Sequence, residues 1–320
     1  MKPTLSIIIP CYNCQDTLEE AVESCFVQGL DNFEIVMVDD GSTDDTRKVM
    51  SGIADKHSEI KLFYHDKNKG GGATRNTAVE NSQSDVIFCL DSDDILPEGT
   101  LSKMLSFMRD KKCDGATVHK SIKFSGKNVE HVHHVDIACD VDKKISLASM
   151  LSVKKEFVPI YVNFMYTKRA FDKLGGYPVS HGYDTQGFAW RFVCVGLVAY
   201  VCPGAEYLHR VNYSESYFLR EYNDGKMNYN WRAILLEHYY VFNKTALDFM
   251  CNFDCSDFTR NIMSELVEMG EILLPGHEKA FLEKHADLEI NFSTPRYIKR
   301  NSFYGYFLRI KSRIRRAFSI

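Results

Sequence analysis

The sequence predicts an α/β fold: a mostly parallel sheet flanked by helices, followed by a helical C-terminal extension. Three observations predict it. Short apolar runs alternate with helical stretches over the first 120 residues. Polar residues cluster just after several of those runs. Beyond about Cys113 the alternation degrades, and from Ser214 to about Leu288 the pattern is mainly helical.

Taken in order, Leu5–Ile9, Glu34–Val38, Ile60–His65 and Asp85–Leu90 are continuous apolar runs without strict alternation. That is the pattern of strands buried on both faces. Helical stretches lie at Asp16–Gln28, Asp44–Lys56, Ala73–Asn81 and Glu98–Arg109. Ser42 is expected to cap the second helix, with Asp44 and Asp45 favourable at its N-terminus. Alternating strands and helices imply parallel pairing. Further on, residues 113–145 read as strands and loops, 157–168 as a strand ending at Lys168, 185–195 as a helix and 197–202 as a strand. The expected organisation is a sheet domain over 1–216 (halves 1–112 and 113–216), a helical extension over 217–295 and a basic tail over 296–320.

Composition narrows the class. Of 320 residues 45% are hydrophobic and 26% charged, which excludes a wholly disordered chain. The longest apolar runs, such as Phe192–Cys202, fall short of the ~20 residues of a membrane span. Met1 leads straight into strand-like residues without a basic-then-apolar leader, so neither a spanning segment nor a secretory signal is expected. The ten cysteines are scattered through apolar segments and read as reduced thiols. Cys11 and Cys14 form a CxxC without a second half at zinc spacing.

Three polar segments follow expected strands: Pro10-Cys11-Tyr12-Asn13, Asp39-Asp40-Gly41-Ser42 and Asp91-Ser92-Asp93-Asp94. In a parallel sheet they share the rim where ligands bind, outside the carboxyl ends of the strands. Any one of them alone reads as a turn with helix caps, and it is three such strand ends on one rim that point to a site. Asp91-x-Asp93 is the sharpest, because two carboxylates one residue apart at a strand end suit a hard divalent cation shared with substrate phosphates. The run Gly70–Gly72 reads either as a phosphate cradle or as a loop before a helix. His131, His133 and His134 read as a polar strand or loop. No GxGxxG follows the first strand, which argues against a dinucleotide-dependent dehydrogenase.

Together, SIIIPCYN, VDDGSTDDT, NKGGGATRN and LDSDD resemble family-2 glycosyltransferases of the GT-A fold, in the family's order and approximate spacing over residues 4–97. The resemblance implies a Rossmann-like, mostly parallel sheet and an inverting, metal-dependent transfer from a nucleotide-diphosphate sugar, a UDP-sugar by preference. It implies that Pro10, Tyr12 and Asn13 line the nucleotide pocket and that Asp39 hydrogen-bonds the base. Asp91 contacts the ribose, with Ser92 beside it, and Asp93 holds Mn²⁺ or Mg²⁺ against the diphosphate. Arg75 lies near the base or diphosphate. Asp184, in Gly182-Tyr183-Asp184, takes the place of the catalytic base, with Tyr183 where a Glu is usual and Arg191 one residue farther on than usual. A further metal contact falls on His209 or, by register, on Asn212. These departures leave an alternative, a catalytically inactive nucleotide-sugar-binding or scaffold protein of the same fold.

The tail carries a different signal. From Phe292 to Ile320 there are eight basic residues and no acidic one, so a chain of net charge −4 divides into a tail of +8 and a body of −12. Phe303, Phe307, Ile310, Ile314 and Phe318 fall on one helical stripe. A basic amphipathic helix suits an anionic membrane surface, or the protein's own acidic body. The expected setting is cytoplasmic and peripheral on the membrane's cytoplasmic face, with a glycan or lipid-linked acceptor as partner and no nucleic acid.

Overall fold

The computed structural model describes residues 2–138, 141–145, 160, 163–179, 183–194 and 196–211. The chain divides into two units, one of residues 1–145, 158–193 and 197–216, the other of 146–157, 194–196 and 217–320. The first unit carries the sheet. The expected extension over 217–295, the tail over 296–320 and Asn212 lie outside the described residues.

Strand β1 (Leu5–Cys11) leads into helix α1 (Leu18–Phe26), then β2 (Phe33–Asp39), α2 (Thr46–Ala54), β3 (Ile60–Tyr64), α3 (Gly71–Glu80), β4 (Val86–Cys89) and α4 (Thr100–Lys111). The four strands pair in parallel in the order β3-β2-β1-β4. Ile7, Ile8 and Ile9 are all fully buried, which accounts for an unbroken apolar run rather than an alternating one. Helix α1 buries Leu18, Ala21, Val22 and Cys25, and α4 buries Leu101, Met104, Leu105 and Met108. Both sets follow the i, i+3, i+4, i+7 spacing of one helical face. Because β1 has β2 on one side and β4 on the other, the chain reverses its winding there and opens a crevice at the carboxyl ends of β1 and β4. Cys11 and Cys89 end these two strands, so the PCYN and DSDD segments leave from neighbouring positions.

The second half adds β5 (Gly115–Ser125), β6 (His131–Ala138), β7 (Met165–Thr167), α5 (Lys168–Leu174), α6 (Asp184–Cys194) and β8 (Ala199–Arg210). Strand β7 pairs antiparallel with both β4 and β5, β6 is antiparallel to β5, and β8 runs parallel to β5. The three histidines thus lie on an antiparallel strand.

Three local expectations are corrected. Of the strand expected over 157–168, only Met165–Thr167 is extended among the described residues, and Lys168 opens a helix. The cause is Thr167, whose hydroxyl accepts from Ala170 N (3.2 Å) and caps α5. The strand expected over 197–202 continues to Arg210, because β5 supplies pairing partners along most of that length. Ser42 does not cap α2. That helix begins at Thr46, whose N–H donates to Asp44 Oδ1 (3.0 Å), while Ser42 Oγ accepts from Asn13 N (3.0 Å). Among the described residues no helix is long and apolar enough to cross a membrane.

Candidate active site

The rim is built first by hydrogen bonds between two loops, those after β1 and β2. Asn13 adopts a left-handed φ of 49° and its Oδ1 accepts from Thr43 N (2.9 Å). Cys14 N donates to Thr46 Oγ1 (2.8 Å), and Asp45 N donates to Gln15 Oε1 (2.8 Å). Asn13 therefore spends its side chain on shaping the rim. Tyr12, 48% exposed, presents a free aromatic surface there, and half-buried Pro10 pairs with Val38 at the end of β1.

Asp39 is fully buried at the end of β2. Its Oδ2 accepts from Arg47 Nε (2.6 Å) and Gly41 N (3.1 Å), and its Oδ1 accepts from Ser42 N (3.2 Å). Gly41 has a φ of 71°, and a Cβ there would lie 2.7 Å from the backbone of Lys67 and Asn68, so this turn requires glycine. Asp40, on which the motif reading is silent, holds the next loop. Its Oδ1 accepts from Lys69 N (2.8 Å) and its Oδ2 from Gly70 N (2.9 Å). His65 Nδ1 lies 2.7 Å from Asp40 and Nε2 lies 3.0 Å from Thr77 Oγ1, tying the glycine loop to the body of α3.

Arg75 and the Asp91-Ser92-Asp93-Asp94 turn form the centre. Arg75 donates from Nη2 to Asp91 Oδ1 (2.6 Å) and from Nη1 to Asp184 Oδ2 (2.6 Å). Asp91 Oδ2 accepts from Asn163 Nδ2 (2.9 Å), which also donates to the Tyr207 hydroxyl (2.7 Å). Tyr207 in turn donates to Asp94 Oδ2 (2.7 Å), and Arg210 N donates to Asp94 Oδ1 (2.8 Å). Arg210 Nε reaches the Asp93 carbonyl (2.7 Å), and Thr17 Oγ1 reaches the Ser92 carbonyl (3.0 Å). The turn is thus held from both sides, and Asp93 is the exposed carboxylate within it. Its dense surroundings, with Asp91 adding repulsion, push the Asp93 carboxyl up to about 6. Burial also raises Asp94 well above the usual carboxylate range, with Asp93 and Asp91 contributing in the same direction.

Asp184 opens α6, and its approach depends on the glycine run. A Cβ on Gly72 would stand 2.0 Å from the Pro178 carbonyl and 3.1 Å from Asp184 Cβ. Gly71 and Gly72 are the bare first turn of α3, and they lie against the loop and helix that deliver Asp184, while Gly70 N is held by Asp40. Asn76 clamps that loop, donating to Tyr177 O (3.0 Å) and accepting from Tyr177 N (2.7 Å). Arg191 donates to Gly176 O (2.8 Å). Beneath Asp184, Phe188 stacks on Tyr177 at 4.2 Å and meets Tyr166 edge-on at 5.0 Å. Burial raises the Asp184 carboxyl above its ordinary range, Arg75 pulls it back down, and Asp91 pushes it up.

A divalent cation fits this turn. Asp93 is exposed, and it stands beside two further acids, Asp91 and Asp94, whose repulsion a cation would relieve. Among the described residues no three His, Cys, Asp or Glu side chains form a metal-holding group, so solvent and substrate oxygens would complete the shell. His209 is half-buried on β8, paired with Lys123.

The model of the family described as "Glycosyl transferase family 2" matches residues 6–175, just over half of the chain. This chain belongs to glycosyl transferase family 2. An uncharacterized glycosyltransferase of Haemophilus influenzae is 42% identical over 106 residues, 33% of this chain and 42% of that protein. The Escherichia coli protein named UDP-Glc:alpha-D-GlcNAc-diphosphoundecaprenol beta-1,3-glucosyltransferase WfaP is 39% identical over 108 residues, 34% of this chain and 42% of its own. The chain spans under half the length of these curated relatives. The crystal structure of S. aureus TarS 1-349 in complex with UDP-GlcNAc superposes with a TM-score of 0.56 at 19% identity, covering 83% of this chain and 72% of that one. The shared fold is the GT-A-like one, a mostly parallel sheet flanked by helices. The family-2 match covers the rim loops, Arg75 and the Asp91–Asp94 turn, and ends before Asp184.

Proposed function

We propose that this family-2 chain is an inverting glycosyltransferase that moves a sugar from a UDP-sugar to a hydroxyl of a glycan or lipid-linked glycan. One observation carries the reading: a donor-side acid after β4, Asp91, and a second acid at the start of α6, Asp184, meet on one guanidinium beside the exposed Asp93. Tyr12 and Pro10 offer the nucleotide base a surface, and fully buried Asp39 braces the turn that follows β2 through the Gly41 and Ser42 N–H groups. Asp91 accepts from the ribose hydroxyls. Asp184 takes the proton of the acceptor hydroxyl while the acceptor oxygen bonds to the anomeric carbon. The bond from that carbon to the diphosphate oxygen breaks, the nucleoside diphosphate departs, and the configuration inverts. Asp93 would hold a divalent cation, which would supply positive charge to neutralise the leaving diphosphate. The relative that acts on a diphosphoundecaprenol-linked sugar, together with the basic tail, supports an acceptor at an anionic membrane surface.

The test is UDP binding and sugar transfer by the full chain with Mn²⁺, Mg²⁺ or chelator. UDP should bind more tightly with metal, and D93N should lose that dependence while keeping the native melting temperature. D184N should keep UDP affinity and lose about two to four orders of magnitude in transfer, the usual span for a general base. Equal UDP affinity with and without metal in the native protein would sink the metal assignment, and native turnover by D184N would sink the base.

A further inference from the structure

The family resemblance makes Arg75 a donor contact, yet the structure spends its guanidinium on protein groups. Nη1 donates to Asp184 and Nη2 to Asp91, each at 2.6 Å, and Nε donates to Cys89 Sγ at 3.3 Å. Only 10% of the side chain is exposed. We infer that Arg75 is a positioning residue of the transfer reaction: its fork ties the carboxylate that takes the acceptor's proton to the carboxylate that holds the donor, fixing the aim and the charge of Asp184. This inference rests on the reading of Asp184 as the base.

Geometry supports it in three ways. A planar guanidinium can hold two carboxylates from different elements in fixed directions, which an ammonium cannot. With Oδ2 engaged, Oδ1 is the oxygen of Asp184 that Arg75 leaves for a proton. The room for this fork is built into the sequence, since a Cβ on Gly71 would lie 2.6 Å from Nη1 and 3.1 Å from Asp184 Oδ2. Asp91 has a second anchor in Asn163, so its place does not depend on Arg75 alone.

Charge follows from the same contacts. The groups around Asp184 are Arg75 on α3 and Asp91 after β4, with the Cys89 thiol and the Tyr177 hydroxyl close to Arg75. Among them Arg75 is the cation that keeps the buried carboxylate ionised. Burial and Asp91 both favour the neutral acid. Loss of Arg75 should therefore raise the pH needed to ionise Asp184, moving the acid limb of the kcat profile upward.

The experiment compares the full chain with R75Q, R75K, D184N and R75Q/D184N, measuring UDP affinity with Mn²⁺ by calorimetry and kcat against pH at saturating donor. R75Q should lower kcat at neutral pH by about 10–100-fold and shift the acid limb upward by about one pH unit, consistent with a weakened general base. UDP affinity should change by less than about threefold, and the double variant should be no slower than D184N, since residues acting as a unit are not additive. R75K, which keeps the charge without the fork, should show a smaller pH shift than R75Q, and it carries the comparison should R75Q fail to fold. A variant with UDP binding weakened more than about tenfold but native kcat and pH limb would make Arg75 a donor ligand and overturn this inference alone. Native turnover by D184N would overturn the base reading and this inference together.

Discussion

Asp39, Asp91, Asp93 and Asp184 are one residue type in four different electrostatic settings. Asp39 is fully buried but meets Arg47 and two backbone N–H groups. Asp91 is shared between a guanidinium and an amide. Asp93 presents its carboxylate at the surface of a crowded turn, with Asp91 adding repulsion, which suits it to a cation. Asp184 is buried against a cation and a neighbouring anion, and the balance raises it. The sign of the pH effect follows. A base is active when deprotonated, so kcat at saturating donor should fall as pH drops through the Asp184 titration. Because that carboxyl is raised, the fall should be centred above the range of an ordinary carboxylate, and a pH–rate profile of the native chain checks it. A midpoint at or below the ordinary range would contradict the burial described here.

Elements bring these side chains together by close approach. The first turn of α3 has no side chains at Gly71 and Gly72, which lets Pro178 and Asp184 come against it. Asn76, one turn on, then holds the loop before α6 by two hydrogen bonds. Gly72→Ala should force α3 and this loop apart, because a 2.0 Å approach to a backbone carbonyl cannot be relieved by a rotamer change. Overpacking of this kind costs about 1–3 kcal/mol. Urea unfolding should show that loss, and turnover should drop more than UDP affinity, since Asp184 moves while the rim loops stay zipped. Equal losses in both would mean that the glycine run serves the donor instead. The aromatic cluster of Tyr166, Tyr177 and Phe188 under α6 was not evident from sequence spacing, because its members come from three separate segments.

Across the whole molecule the charge is divided rather than spread. The tail from Phe292 carries +8 and the body −12, and the five-residue apolar stripe lies within the tail. An anionic vesicle should therefore retain the full chain and release a chain truncated at residue 295. Each basic residue near such a surface is worth about 1 kcal/mol, so added salt should weaken retention. Replacing Phe307, Ile310 and Ile314 with serine should weaken it further. Vesicle flotation decides between this and a tail that packs on its own acidic body, for which both chains would stay in solution. Transfer to a soluble acceptor should survive the truncation, since every proposed site residue precedes it.

By itself the sequence determined the parallel half of the sheet and its rim. Apolar runs buried on both faces, polar strand ends and helical stripes are local patterns, so Leu5–Ile9, Asp39 and Asp91–Asp94 were legible from their own neighbours in the chain. The neighbourhood of PCYN and DSDD also followed, once parallel pairing was inferred. Partner choice did not follow. Arg75 meets Asp184 across 109 positions, Asn163 meets Asp91 across 72, and Tyr207 meets Asp94 across 113. Asn163 and Tyr207 carry no motif, and nothing in the sequence around Arg75 shows that its nitrogens meet Cys89, Asp91 and Asp184. A hydrogen bond's partner is set by strand register and by which helices can approach, and those depend on β7, β8 and the bare turn of α3 packing together. Only the tertiary structure decided them, because the free energy of each such contact belongs to two distant segments and neither segment records the other.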